Sequence, residues 1–193
     1  MLYLIRHGQT AQNHAQLLQG RSDFPLNDTG LAQAAELGRW FGEQGIRFDA
    51  VYSSPLCRAV ETARQIVGPA FPIALDERLI EMDYGPYEGA DLASPAPELL
   101  AFFHDFVHTP APAGMEPLSA VTARCGRFLE EHKAEAAEGN LLLSTHAIAL
   151  KGALEYLTPD SRGAYWSRYI GNCAIFCTEV VGGRYRVPTE LRR

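Results

Sequence analysis

Three short runs of apolar and β-prone residues constrain this chain most. They are "LYLI" at residues 2–5, "FDAVYSS" at 48–54 and "NLLLST" at 140–145. Each has the length of a strand, and each breaks off into polar residues: Arg6-His7-Gly8, Ser53-Ser54 and His146. Helical patterns lie between them. Strand and helix in alternation is the pattern of a layered α/β fold with a mostly parallel sheet. In open sheets of that kind, ligands bind beyond the carboxyl ends of the strands.

The intervening patterns are specific. "FPLNDTG" is rich in turn residues. Leu31, Ala35, Gly38, Phe41 and Gly42 then recur at helical spacing, with Gly45 as a stop. "SPLCRAVETARQIVG" predicts a helix with Ser54 as N-cap and Pro55 at the first helical position. A short strand is expected at 73–75. Val121, Cys125, Phe128, Leu129 and His132 form one stripe of a helix over 119–139. Leu150, Ala153, Leu154 and Leu157 do the same over 147–157. "CAIFCTEV" and "RYRVP" read as closing strands joined by a hairpin at Gly182-Gly183, with Cys173 and Cys177 on one strand face. The Pro- and Ala-rich stretch 86–118 departs from this pattern. It predicts an irregular flap with a helix near 98–107, inserted in a single domain spanning 1–193.

A net charge of −6 leaves no basic excess to neutralise a nucleic-acid backbone, so nucleic acid is not expected as a partner. The N-terminal apolar run is cut by Arg6 too early for a secretory leader, and no run reaches membrane-spanning length. None of the four cysteines forms a Cys-x-x-Cys pair. A reduced, cytoplasmic protein without a membrane partner is expected.

If the three strands are neighbours, His7, His146, Arg6 and Arg58 converge on one crevice. Four such groups repel one another unless an anion lies among them. Arg58 in a first helical turn opposes the helix dipole, which also points to a bound anion. A phosphoryl group fits: arginine binds it bidentately and stays charged. Neighbouring guanidinium groups keep an imidazole neutral and able to attack phosphorus. Taken singly, these residues have plainer readings. A lone His7 suits a structural histidine and Glu81 a surface acid. His104 and His108 have zinc-compatible spacing but suit an exposed flap better. Phe102, Phe103 and Phe106 suit flap packing or the wall of a leaving-group pocket, and Arg64 and Arg78 suit surface charges. Cys57, at a helix start beside Arg58, is a rival nucleophile.

The segments "LIRHGQTAQN", "GRSDFPLNDTGLAQA", "VYSSPLCRAVETA", "EMDYGPYEG" and "STHA" occur in the order of the histidine phosphatase, or phosphoglycerate mutase-like, superfamily, which the chain resembles over most of its length. The resemblance implies a three-layer α/β/α sandwich with a mixed, mostly parallel sheet. It implies His7 as the nucleophile, Arg6, Arg58 and His146 as the phosphate pocket, and Glu81 as the proton donor. Asn13 is implied as a further phosphate contact, with Gln9, Thr10 and Arg21 near the site. Ala147 stands where many relatives have glycine, and its backbone N–H would still serve. Glu116, in "GMEPL", only partly fits the family pattern. The implied chemistry needs no metal or other cofactor. Because Glu81 must first act as an acid, a raised pKa and an acid-leaning rate optimum are expected.

The family divides into phosphatases and mutases. This chain lacks the insertion, arginine pair and long C-terminal tail of the mutases it resembles. The expectation is therefore a phosphatase of small phosphate esters, resembling the α-ribazole and broad-specificity branches. A cofactor-dependent mutase and a silent phospho-ligand binding module are the alternatives, and a homodimer is compatible with any of them.

Overall fold

The structure is a computed structural model and describes residues 1–192. Its strands are β1 (Leu2–Arg6), β2 (Ala50–Ser53), β3 (Ala74–Leu75), β4 (Leu141–Thr145), β5 (Ile175–Thr178), β6 (Val180–Val181), β7 (Arg184–Tyr185) and β8 (Thr189–Leu191). Its helices are α1 (Ala11–His14), α2 (Asp28–Glu43), α3 (Cys57–Val67), α4 (Pro97–His104), α5 (Leu118–Glu131), α6 (Lys133–Glu138) and α7 (Ala147–Leu157). Six strands form one sheet in the order β3-β2-β4-β1-β5-β8, while β6 and β7 make a separate ribbon. The pairs β1–β4, β2–β4 and β2–β3 are parallel, and β1–β5 and β5–β8 are antiparallel. This is the expected mixed, mostly parallel sheet.

The pleat divides the core into two layers. Leu2, Leu4, Leu141, Leu143 and Phe176 face one cluster with residues of α5 and α7. Tyr3, Ile5, Leu142 and Ile175 face the other, with Ala34, Leu37 and Phe41 of α2 and Ala63 of α3. Side chains alternate across a strand, so a strand covered on both faces must be apolar throughout. That is why "LYLI" and "LLL" read as unbroken apolar runs.

Several boundaries differ from the sequence reading. α2 begins at Asp28 because Asn27 caps it, accepting from the Gly30 N–H. α3 begins at Cys57, not at Pro55. Leu56 is its N-cap residue, and the Asp23 carboxylate accepts the Cys57 N–H at 2.7 Å. Ser54 Oγ instead accepts from the Leu56 N–H at 3.3 Å. The helix expected over 119–139 splits into α5 and α6 at His132. Cys173 precedes β5 with a left-handed φ of 55°, so it does not share a strand face with Cys177. Arg78 is no free surface charge: it pairs with Asp76 and Glu131 and lies over the Phe128 ring. β8, within "PTELRR", carried no sequence signal. Between 88 and 117 the only helix or strand is α4, near the helix expected at 98–107, and it anchors the stretch to the core through the fully buried Leu99 and Phe102.

Candidate active site

β4 lies between β1 and β2, so the carboxyl ends of all three strands meet. Arg6 pairs with Thr145 and Ser53 with Ser144 in register. Beyond the strands, the His7 N–H donates to Thr145 O at 2.9 Å and the Ser54 N–H to Ser144 O at 3.0 Å. The expected convergence of His7, Arg6, Arg58 and His146 follows from this order. The glycine after His7 also has a structural cause. A Cβ at Gly8 would lie 2.5 Å from Gly30 O, so the start of α2 sits directly on the His7 loop.

His7 is 3% exposed. Its Nδ1 lies 2.7 Å from Gly8 O, an acceptor, so Nδ1 carries the proton and donates. Nε2 is then the nitrogen with the free lone pair. Burial, then Arg6, then Arg58 hold the imidazole well below its usual pKa of 6.5. The nucleophile expected from sequence is therefore neutral and oriented.

Arg58 is fully buried. Nη2 donates to Gly20 O at 2.6 Å, Nη1 to Ser22 O at 2.7 Å, and Nε to His146 Nδ1 at 3.2 Å. His146 Nε2–H must then donate to Ser54 Oγ, 2.7 Å away. Both imidazole nitrogens of His146 are thus engaged. Its ring centroid lies 5.1 Å from that of His7, and its Nδ1 accepts from Arg58. Arg6 Nη1 donates to Ile170 O at 2.6 Å, and its buried Nε has no partner among the described residues.

Glu81 is 3% exposed and sits at the start of α7. Oε1 accepts from the N–H of Met82 (2.9 Å) and Ala149 (3.0 Å), and Oε2 from that of Ile148 (3.1 Å). Oε2 is the oxygen with a lone pair to spare.

A cavity of about 420 Å³ is lined by Arg6, His7, Asn13, Glu81 and Ala147, among others. Phe103 and Phe106 also line it, so of the three flap phenylalanines only Phe102 belongs wholly to the core. Asn13 Oδ1 accepts from the Thr10 N–H and from Asn172 Nδ2, both at 3.2 Å, which leaves its amide N–H groups for the cavity. Other expected residues are placed differently. Thr10 caps α1 and donates to Gln19 Oε1 at 2.7 Å. Gln9 is held by Asn27 and Gln33. Arg21 does not line the cavity: Asp83 and Glu116 take its guanidinium, and Glu116 also binds Arg124. Cys57 is no thiolate, because burial, then Asp23, pushes its thiol up to about 11.

Sequence reasoning missed Gln19, Lys151 and Asn172. Gln19 lines the cavity, and its buried Nε2 has no partner among the described residues. Asn172 Nδ2 also donates to His7 O at 3.0 Å. For Lys151, the legible signal was a lysine inside the otherwise apolar "AIALKGAL" run.

The two buried histidines predict a pH effect on stability. His146 is also held well below 6.5, by burial first and then by Arg58, His7, Arg124 and Arg6. Below pH 6.5 the unfolded chain takes up protons at these sites that the folded chain refuses. Stability is therefore lost as pH falls below 6.5, by at most about 1.4 kcal/mol per pH unit per histidine. Thermal melts from pH 7.5 to 5 check this. The His7→Ala protein is expected to lose stability less steeply than wild type, and parallel curves would contradict the assignment.

Comparison with known proteins adds an independent observation. Residues 2–189 match the histidine phosphatase superfamily (branch 1). A broad-specificity phosphatase of Saccharomyces cerevisiae is 32% identical over 177 residues, covering 85% of this chain and 73% of the relative. The phosphoserine phosphatase of Entamoeba histolytica, solved with 3-phosphoglyceric acid, superposes with a TM-score of 0.84 at 25% identity, covering 100% of this chain and 96% of that one. The α-ribazole phosphatase of Shigella flexneri does so with a TM-score of 0.81 at 26% identity, covering 96% and 93%.

Proposed function

The chain belongs to the histidine phosphatase superfamily (branch 1), and as a phosphatase of that family we propose that it hydrolyses small phosphate monoesters through a phosphohistidine on His7. The observation that carries this reading is the fixed tautomer of His7, whose unprotonated Nε2 shares a cavity with Arg6 and Glu81. In the first step Nε2 attacks phosphorus. The P–N bond forms as the P–O bond to the leaving group breaks, and Glu81 gives its proton to the departing oxygen. In the second step Glu81 takes a proton from water as that water attacks phosphorus. The P–N bond breaks and inorganic phosphate leaves.

Arg6 and Arg58 carry the charge on the nonbridging oxygens. Arg58 has one N–H left on each Nη after donating to Gly20 O and Ser22 O. The Asn13 amide adds a neutral donor. The proton that Glu81 gives in the first step and takes in the second moves at Oε2, the less engaged oxygen. The flap segment 86–118 closes the leaving-group side through Phe103 and Phe106.

Because arginines supply the positive charge, hydrolysis of p-nitrophenyl phosphate is expected to continue at an unchanged rate in excess EDTA. A rate abolished by EDTA and restored by a divalent cation would overturn the mechanism.

A further inference from the structure

Two cations line this cavity, Arg6 and Lys151, and a third, Arg58, is buried beside it against His146; none of the three forms an ion pair with a carboxylate among the described residues. Elsewhere Arg21, Arg78 and Arg124 all do. The phosphoryl group accounts for the two arginines. Lys151 remains without an anion.

Its position is informative. Ala147 and Lys151 are four residues apart on α7, so they share a helix face, with Cβ atoms roughly 5–6 Å apart. Both line the cavity. Ala147 follows His146 directly, next to the reacting groups. Lys151 lies one turn farther along, against Phe106, and Leu100 and Phe103 line the same cavity. The lysine is 9% exposed. Nζ donates one hydrogen bond to Trp166 O at 2.7 Å and sits 5.0 Å from the centre of the Phe106 ring. An ammonium has three donors, so this leaves capacity toward the cavity. Burying a cation against a ring and one carbonyl is costly unless an anion joins it. Burial pulls Lys151 down to about 8, with Glu81 opposing that shift and Arg6 adding to it.

We propose that Lys151 forms a second anion subsite, which selects phosphate esters whose leaving group carries a carboxylate. The subsite rests on the phosphatase reading above. A single ammonium with spare donors matches a monoanion, and the phosphoryl group takes the arginines. The surrounding Leu100, Phe103 and Phe106 bury the carbon chain between the two anions.

The test compares 3-phosphoglycerate with glycerol 3-phosphate, which replaces the carboxylate by a hydroxymethyl group. Values of kcat/KM are measured for both, with p-nitrophenyl phosphate as reporter. Wild type is expected to favour the carboxylate ester at least tenfold, chiefly through KM. In Lys151→Met that ratio falls toward one, and in Lys151→Arg it is retained. In wild type the preference also declines as pH rises through about 8, as the ammonium loses its charge. Arg6, His7, Glu81, Tyr84 and Tyr169 line the same cavity, so the ratio of the two esters is read rather than either rate. In Lys151→Arg, which stays charged, the ratio does not decline there. This pH profile needs no variant to fold. A wild type that hydrolyses p-nitrophenyl phosphate but treats the two esters alike overturns the subsite alone, as does a ratio that Lys151→Met leaves unchanged. A wild type that hydrolyses none of the three overturns the phosphatase reading and the subsite with it.

Discussion

Replacing His7 with alanine is expected to lower kcat for p-nitrophenyl phosphate by about 10⁴-fold or more, the scale seen when a covalent nucleophile is removed. The size follows from the geometry. Nε2 is the unprotonated nitrogen, and the donor role of Nδ1 toward Gly8 O keeps it so. Among the described residues, no second nucleophile stands ready at the site. Both nitrogens of His146 are engaged by Arg58 and Ser54, and the Cys57 thiol is held protonated. The protein itself should fold, because among the described residues the acceptor orphaned is Gly8 O, and alanine relieves an imidazole crowded by two guanidinium groups. Steady-state kinetics together with a thermal melt at pH 7.5 separate the two effects. Equal turnover in the variant and wild type would place the nucleophile elsewhere.

The Glu81→Gln variant should show the second large effect, one that depends on the leaving group. General acid–base catalysis contributes roughly 10²–10⁴-fold. An alkoxide departing from glycerol 3-phosphate needs that proton, so the full loss is expected there. Nitrophenolate departs without it, so p-nitrophenyl phosphate should still phosphorylate His7. Water attack, which needs Glu81 as base, then becomes slow. The expected trace is a burst of about one equivalent of nitrophenol followed by a slow steady state. Glutamine keeps the acceptor for Met82 and Ala149, but it sets an NH₂ against the Ile148 N–H, so one hydrogen bond is lost. Equal slowing of both substrates with no burst would mean that Glu81 does not carry the proton.

Much of this was legible in the sequence, for particular reasons. The strands of "LYLI" and "LLLST" are buried on both faces, so they had to be apolar, and their polar ends had to lie at the sheet edge. Arg58 stood out because a cation in a first helical turn needs a reason, and Gly20 O and Ser22 O now share in it. What escaped depended on contacts between distant segments. Ser54 looked like a helix cap because nothing local shows that His146 takes its hydroxyl from 92 residues away. Arg21 was expected near the site, and nothing local shows that the acids that hold it, Asp83 and Glu116, arrive from other segments. Asn172 and Lys151 lie outside the motifs, and only the fold brings them to His7 and the cavity. β8 is short and half exposed, so it carries neither an apolar run nor a clean alternation.

The central claim is a covalent phosphoryl group on His7, and trapping it is the most direct measurement. Enzyme turning over a labelled phosphate ester would be quenched in alkaline denaturant, which preserves a P–N bond, then digested and mapped by mass spectrometry. The account predicts label on the peptide containing His7, stable to alkali, lost in acid and absent from His7→Ala. Turnover with no label on the enzyme, or label on Cys57 or His146 instead, would contradict it.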